Sequence, residues 1–377
     1  MPGAATNFIS DKELACWLAL DQVKGTGISP RRVQQICEQL QGSANAWGAT
    51  RTVLKYLPGL TEEAIDSFIA RRESIDPGAL LEAVRRAGVA AYPICHPYYP
   101  ERLREIHDPP SVLYIKGVLR PEDLKWTVGV VGTRRPSAYG QKLAREFASA
   151  LAESGVTIVS GMAVGIDSYA HRAALEGEGK TVAVLGCGPD QCYPTSNRPL
   201  YQMLVEEGRG AVVSEYFPGT KPEAWRFPAR NRIISGLSQG VLVVEAGETS
   251  GALITARLAF EQNREVFAIP GRIDNPMSRG TNALIARSTA RLCTDYKEIL
   301  QELNWVSAGV ERQVPTMVEL YGREKEVFDL LSGEPTHFDH LCEQTGMPAG
   351  ELSATLTMLE LAGVVTRHPG DFYSRLR

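Results

Sequence analysis

Arg134 and Arg135 stand in a loop that opens with Gly132 and Thr133, directly after the apolar run Val128 to Val131. Two guanidinium groups beside bare backbone amides and a helix start make a place for an anion. More cations follow at Arg198 and in Arg230-Asn231-Arg232, which precedes the apolar pair Ile233-Ile234. Small donors accompany them: Ser160 and Gly161, Gly165, Asn197, and Ser250 within Thr249-Ser-Gly251 at another helix start. Cations distributed in this way suit a chain of phosphates better than one compact group. Tyr139, Tyr193 and Phe227 add rings on which bases could stack, although each alone reads first as a packing residue.

Asp167 and His171 offer a different chemistry, four positions apart on one helix face with Ser160 and Ser168 nearby. A charge relay or half a metal site has this look, but the sequence places no third member. An aspartate that caps the helix and a packed histidine explain the pair with fewer assumptions. No Gly-x-x-x-x-Gly-Lys-Ser/Thr stretch exists, which removes a P-loop nucleotide hydrolase. Gly129 and Gly132 lack the full Gly-x-Gly-x-x-Gly spacing, and Ser160-Gly161 ends the second strand without an acid, so a dinucleotide cofactor is disfavoured. Seven cysteines include no Cys-x-x-Cys pair, and Cys187 and Cys192 lack a second pair of zinc ligands. Reduced thiols, no metal and no cofactor are the expectation.

The surrounding elements read as a strand-helix-strand unit. Val128 to Val131 is a strand buried on both faces, a helix runs from about Gly140 to Glu153, and Thr157 to Ser160 is the next strand. Both glycine loops then lie at the carboxyl ends of parallel strands, the edge where open α/β sheets bind ligands. Further strands are expected at 90–94, 112–115, 181–185, 211–214, 241–244, 266–269 and 290–293, with helices such as 199–207 and 253–262 between them. That rhythm predicts an α/β fold with a Rossmann-like, doubly wound, mostly parallel sheet over residues 79–302.

Residues 1–78 read as a helical domain. Val23 to Ser29, with Gly25 and Gly27, and Tyr56 to Thr61, with Gly59, resemble the hairpins of a helix-hairpin-helix (SAM-like) module. Residues 303–318 read as a linker. Beyond it, three helices at 322–331, 337–344 and 349–361 and a hairpin at 363–373 give a winged-helix pattern over 319–377. Its third helix holds Glu351 and Glu360 but no Lys or Arg, which suits a protein contact better than DNA. The formal net charge of −4 leaves any nucleic-acid binding to a local patch. No apolar run approaches the ~20 residues that span a bilayer, and the amino terminus lacks a basic-then-apolar pattern, so a cytoplasmic protein without membrane contact is expected.

Several strings together resemble the DNA-processing protein A (DprA/Smf) family. They are Gly132-Thr-Arg-Arg-Pro136, Ser160-Gly161 through Gly165-Ile-Asp167 to His171, and Tyr193-Pro194-x-x-Asn197. Next come Phe227-Pro-x-Arg-Asn-Arg-Ile-Ile-Ser-Gly236, Ser250-Gly-Ala-Leu-x-Thr255, Ile269-Pro-Gly271 and Ser278-x-Gly-x-Asn282. They occur in the same order across residues 80 to 295. The resemblance implies a non-enzymatic protein that binds single-stranded DNA, loads the RecA recombinase and protects incoming strands in natural transformation. It implies a homodimer, with contacts mapping to Asn282, Leu284, Ile285 and Leu292, and single-strand-binding protein as a further partner. The family's binding arginine falls on Arg134. A lysine that some relatives carry after Tyr-Pro is Thr195 here, and Arg198 stands near to replace it.

The rival reading is a nucleotide-processing enzyme of the phosphoribohydrolase type, which shares a Rossmann-like fold with glycine-rich phosphate loops. Such enzymes resemble one another in a Pro-Gly-Gly-x-Gly-Thr motif. The corresponding stretch here is Glu245-Ala-Gly-Glu-Thr-Ser-Gly251, without that glycine run. A third reading leaves the arginines as a solvated face of a scaffold.

Overall fold

Five apolar, β-branched runs form strands buried at every position: β3 (Thr127–Val131), β4 (Thr157–Ser160), β5 (Thr181–Leu185), β6 (Gly210–Ser214) and β7 (Gly240–Val243). Covered on both faces, they have no polar alternation to show. The computed structural model describes residues 9–23, 27–177, 179–206, 208–305, 322–332, 335–361, 364–368 and 370–375. Two strands precede the five, β1 (Ala90–Pro93) and β2 (Val112–Gly117), and two follow, β8 (Glu265–Ala268) and β9 (Arg291–Leu292). The nine-stranded sheet has the order β1-β2-β6-β5-β4-β3-β7-β8-β9. Neighbours from β6 to β9 are parallel, whereas β2 runs antiparallel to both β1 and β6. The sheet is therefore mostly parallel, as the strand–helix rhythm predicts.

Six helices precede β1: α1 (Asp11–Gln22), α2 (Pro30–Gln39), α3 (Ser43–Gly48), α4 (Arg51–Lys55), α5 (Glu62–Arg72) and α6 (Pro77–Arg86). Helix α7 (Glu101–Arg104) links β1 to β2. Within the sheet domain follow α8 (Ala138–Glu153), α9 (Ile166–Glu176), α10 (Arg198–Glu206), α11 (Arg226–Leu237), α12 (Ala252–Glu261), α13 (Arg279–Ala286) and α14 (Tyr296–Glu302). Apolar residues of α8, α9 and α14 share one core with Val128, Val130, Ile158 and Leu242. Those of α11 and α12 share another with Val131, Val159, Val184 and Val243. Alternate residues of the same strands thus serve the two faces, the signature of double winding.

The boundary expected at residue 78 does not separate two compact units. One unit takes in the described residues through Trp305, and the core under α11 and α12 continues into Trp17, Ile36, Ile65 and Phe68 of the amino-terminal helices. Asp21 of α1 locks this layer to the sheet. Its buried carboxylate accepts hydrogen bonds from Ser111 Oγ at 2.6 Å and Tyr114 Oη at 3.0 Å. The two glycine hairpins do share a design. Gly27 (φ 82°) and Gly59 (φ 77°) each stand two residues before a capping hydroxyl, Ser29 for α2 and Thr61 for α5. Gly25 lies outside the described residues, as does nearly all of the expected linker.

Three local expectations are corrected. Helix α8 begins two residues before Gly140 because Ser137 caps it, its hydroxyl accepting from the Gly140 amide at 3.2 Å. The strand expected over 290–293 shrinks to Arg291–Leu292 at the sheet edge. Asp167 does not cap α9, since it lies inside that helix and turns its carboxylate back on the preceding loop.

The second compact unit holds α15 (Gly322–Leu330), β10 (Thr336–His337), α16 (Phe338–Thr345), α17 (Ala349–Leu361), β11 (Val365–His368) and β12 (Phe372–Arg375). Its strands form an antiparallel sheet in the order β10-β12-β11 around a core of Val327, Leu341, Leu352, Leu356 and Val365. Helix α17 exposes Glu351, Ser353, Thr357, Met358 and Glu360, and no cation.

Candidate nucleic-acid interface

The strand order reverses at β3. From it the chain winds outward through β4, β5 and β6, then crosses back to β7 on the other side. Loops leaving β3 and β7 diverge there, and a crevice must open between them at the carboxyl edge. A cavity of about 610 Å³ lies at this point. Gly132 to Arg135 form one wall, Ser250 and Thr255 another, and Asp167, Arg230 and Asn231 the floor.

In a dinucleotide-binding domain the helix start after the first strand would receive the phosphate. Here the chain fills that place with its own acid. Glu245, buried after β7, accepts from the Ser137 amide at 2.8 Å and the Ser137 hydroxyl at 2.7 Å, at the amino end of α8. The loop before α9 is occupied by a second internal acid. Asp167 Oδ2 accepts from the amides of Gly161 at 3.1 Å and Ala163 at 3.3 Å. The expectation that bare amides in these loops would draw an anion is therefore corrected, because Glu245 holds the Ser137 amide at the start of α8 and Asp167 holds the amides of Gly161 and Ala163.

What remains for an anion is side-chain charge. Arg134 and Arg135 are exposed on the cleft wall, and among the described residues neither is paired with a carboxylate. Their loop is fixed: the Thr133 amide donates to the Glu245 carbonyl at 2.7 Å, and Thr133 Oγ1 accepts from the Arg135 amide at 3.2 Å. Gly165 (φ 88°) lets α9 begin directly against this loop, where a Cβ would sit 2.7 Å from Arg134 Cα. The exposed Arg134 and the buried Arg230 both line the cleft. Burial lowers the Arg230 pKa, and the charge of Arg134 lowers it further, while Asp167 opposes both. A site with this excess of positive charge favours a polyanion.

Arg230 forms the floor and is not free to follow a ligand. It is 5% exposed, and its guanidinium donates to the carbonyls of Gly161 and Val184 and to Asn231 Oδ1. A Cβ on Gly161 would meet the guanidinium, which is why that position needs glycine. Arg232, two residues on, leaves the cleft altogether. It pairs with Glu215 at 2.6 Å and Asp108 at 3.3 Å, and these carboxylates hold its pKa above the usual range. Residues two apart on a helix do not share a face, so both arginines could not enter one groove.

Other expected contacts are internal. Ser160 Oγ donates to the Val130 carbonyl at 2.6 Å inside the sheet. Asn197 is buried and donates to the Met162 carbonyl at 2.8 Å, bracing the loop from behind. Arg198, by contrast, is exposed at the start of α10. Ser250 lines the cleft at the start of α12, where its hydroxyl accepts from the Ala252 amide at 3.3 Å. Tyr193 and Phe227 stack at 5.2 Å with planes 26° apart and reach the cleft, whereas Tyr139 donates its hydroxyl to the Pro270 carbonyl. Sequence reasoning missed Glu245, whose role depends on a contact more than a hundred residues distant, and Met277, which lines the cleft from before α13.

The Asp167 and His171 pair does not assemble a relay. His171 is fully buried, and Thr181 Oγ1 gives its proton to the Ile158 carbonyl, so Nδ1 donates to Thr181 at 2.6 Å. Its Nε2 has no partner among the described residues. Burial pushes the His171 pKa down to about 3, so the ring is neutral at physiological pH. Burial also raises the Asp167 pKa, with Arg230 and two amides pulling against it. Among the described residues no group of three His, Cys, Asp or Glu is arranged to hold a metal. No helix among them is long and apolar enough to cross a membrane.

The four residues expected at a dimer contact divide. Asn282 binds the backbone of Gly271 through both ends of its amide, at 3.1 and 2.9 Å. Leu284 and Ile285 are partly buried against the core of their own domain. Leu292 alone stands out, 46% exposed on the edge strand β9.

Comparison with known proteins accords with this geometry. Residues 91–304 match the family described as DNA recombination-mediator protein A, and residues 315–371 match the DprA winged helix domain. Protein Smf of Synechocystis sp. is 36% identical over 402 residues, which cover 97% of this chain and 100% of that protein. DNA processing protein DprA of Bacillus subtilis is 41% identical over 224 residues, 59% of this chain and 74% of that protein. The X-ray structure of DprA from Streptococcus pneumoniae superposes with a TM-score of 0.66 at 36% identity, covering 78% of this chain and 98% of that one. A DprA structure from Helicobacter pylori, described as giving insight into a single-stranded DNA binding mode, superposes with a TM-score of 0.52 at 31% identity, covering 57% and 95%. With its cleft, its mostly parallel sheet and its winged helix, this chain belongs to the DNA recombination-mediator protein A (DprA/Smf) family.

Proposed function

We propose that this protein binds single-stranded DNA across the switch-point cleft and loads the RecA recombinase onto it, protecting incoming strands during natural transformation in competent cells. The observation that carries the reading is the exposed Arg134–Arg135 wall, unpaired among the described residues, at a cleft where Glu245 and Asp167 already hold the amides of Ser137, Gly161 and Ala163. A cleft of that kind offers charge and rings along which a flexible strand can lie. The protein works in the cytoplasm without a cofactor, and single-strand-binding protein is the coat it meets on the strand. It turns nothing over. The enzymatic alternative, a nucleotide-processing phosphoribohydrolase, loses its candidate relay because Asp167 and His171 are committed to Gly161, Ala163 and Thr181.

Competition between a labelled single strand and unlabelled duplex of equal length tests the binding. Single strands are expected to displace the label at least about tenfold more effectively, because only unpaired bases present free faces to Tyr193 and Phe227. Equal displacement by duplex would reject the reading.

A homodimer is part of the proposal. Leu292 is an exposed apolar side chain on a sheet edge, and a twofold contact is a common way to cover such an edge. Joining two clefts would raise the effective concentration for a long strand. Leu292→Arg is expected to lower the dimer fraction in sedimentation while the monomer stays folded. It should weaken binding to long oligonucleotides more than to short ones, and reduce RecA filament formation on strands coated with single-strand-binding protein. A variant that sediments as wild type places the interface elsewhere.

A further inference from the structure

Trp225 is 60% exposed immediately before α11, yet its ring has contacts on several sides. Its Nε1 donates to Glu223 Oε2. Its ring stands edge-on to Tyr216, with centroids 6.3 Å apart and planes at 89°. The Arg226 guanidinium lies against both rings, 4.9 Å from Tyr216 and 5.1 Å from Trp225, and Glu223 pairs with Arg226 at 3.0 Å. Arg226 Nε is buried without a partner among the described residues. A large ring fixed in place and left facing water is a preorganised surface, because its ordering cost has been met before any ligand arrives.

The position of this shelf gives its occupant. Arg134 follows β3, Tyr193 follows β5, and Tyr216 follows β6, all on the carboxyl edge of neighbouring parallel strands. Three strand spacings separate the first from the last, about 14 Å. Ala224 and Phe227, on either side of Trp225 and Arg226, line the cleft itself. Charge, then the Tyr193–Phe227 stack, then Trp225 thus follow one another along a single edge. Lys221 is exposed on the same loop.

The geometry points to Trp225 as a second base-stacking station, outside the cleft, which receives an unpaired base of the strand as it passes over the start of α11. Arg226 fixes the ring and adds positive charge beneath the base. The ligand class is single-stranded polynucleotide of any sequence, since every base has a face to stack. This inference rests on the proposed single-strand binding.

Tryptophan fluorescence of the full chain, titrated with oligothymidylate of about 20 nucleotides, tests it, since stacked bases quench an indole they cover. Trp17 and Trp305 are buried, and Trp47 in α3 and Trp126 at the amino end of β3 are half-buried, so the exposed Trp225 on the carboxyl edge should dominate any quenching. Oligothymidylate is expected to quench the wild type, and Trp225→Phe should abolish most of that quenching while keeping affinity within about threefold. Trp225→Leu should lose affinity about tenfold, the effect of one lost base–aromatic stack of ~1.4 kcal/mol. Circular dichroism and melting of both variants should match the wild type. Unchanged affinity in Trp225→Leu, with no quenching to lose, overturns the station and leaves single-strand binding standing. Failure of the wild type to bind any single strand overturns the underlying reading instead.

Discussion

Arg134→Ala should weaken single-strand binding about tenfold and leave the fold intact. Arg134 is exposed and has no acidic partner among the described residues, so its removal breaks nothing that holds the protein together. A surface change of this kind shifts stability by no more than about 0.5 kcal/mol. The lost interaction with a phosphate is a charge-assisted hydrogen bond worth roughly 1.5–3 kcal/mol. The loss should be uniform across base sequences, because phosphates carry none of that information. The slope of log K against log salt should also flatten by roughly 0.7, one phosphate on a single strand. Loss of affinity for one sequence only, or a normal slope, would place Arg134 outside the strand path.

Asp167→Ala should fail in the opposite manner, through the fold. The carboxylate is buried, accepts two loop amides, and is the acid that offsets the buried charge of Arg230. Removing it leaves the amides of Gly161 and Ala163 without that acceptor, at about 1–3 kcal/mol each, and takes an opposing charge away from the buried Arg230. That is a large share of the 5–15 kcal/mol typical of folded proteins, and the melting temperature should fall by on the order of 10 °C. Adding Arg230→Met in the same chain should recover part of the loss, since both charges are then gone. If Asp167→Ala melts with the wild type but destroys a turnover that tracks the protein, Asp167 is catalytic and the account of a binding protein is wrong.

The contrast between these two residues shows how far the sequence could be read. Apolar β-branched runs such as Thr181 to Leu185 announce buried parallel strands, and the alternation with helices gives the doubly wound sheet. The cleft follows from topology, because ligands bind where strand order reverses. What composition does not show is which arginine is spent inside. Arg230 and Arg232 look alike as letters, yet a two-residue step on a helix sends one under the cleft and the other to Glu215. That separation was legible from helical geometry alone. The capture of Ser137 by Glu245 was not, since it joins loops that only the finished sheet brings together. Nor was the clamp of Asn282 on Gly271, which joins α13 to a residue eleven positions earlier in the chain.

The most direct test of single-strand binding at this cleft is a titration of wild-type protein with labelled oligothymidylate at several salt concentrations. Arg134 and Arg135 each facing a phosphate predict saturable binding whose log–log salt slope is at least about −1.4 in magnitude, two single-strand phosphates' worth. Excess mononucleotide should compete weakly, because one phosphate cannot span the wall. Binding that is absent at low salt, or insensitive to salt and displaced by a mononucleotide, would contradict the account.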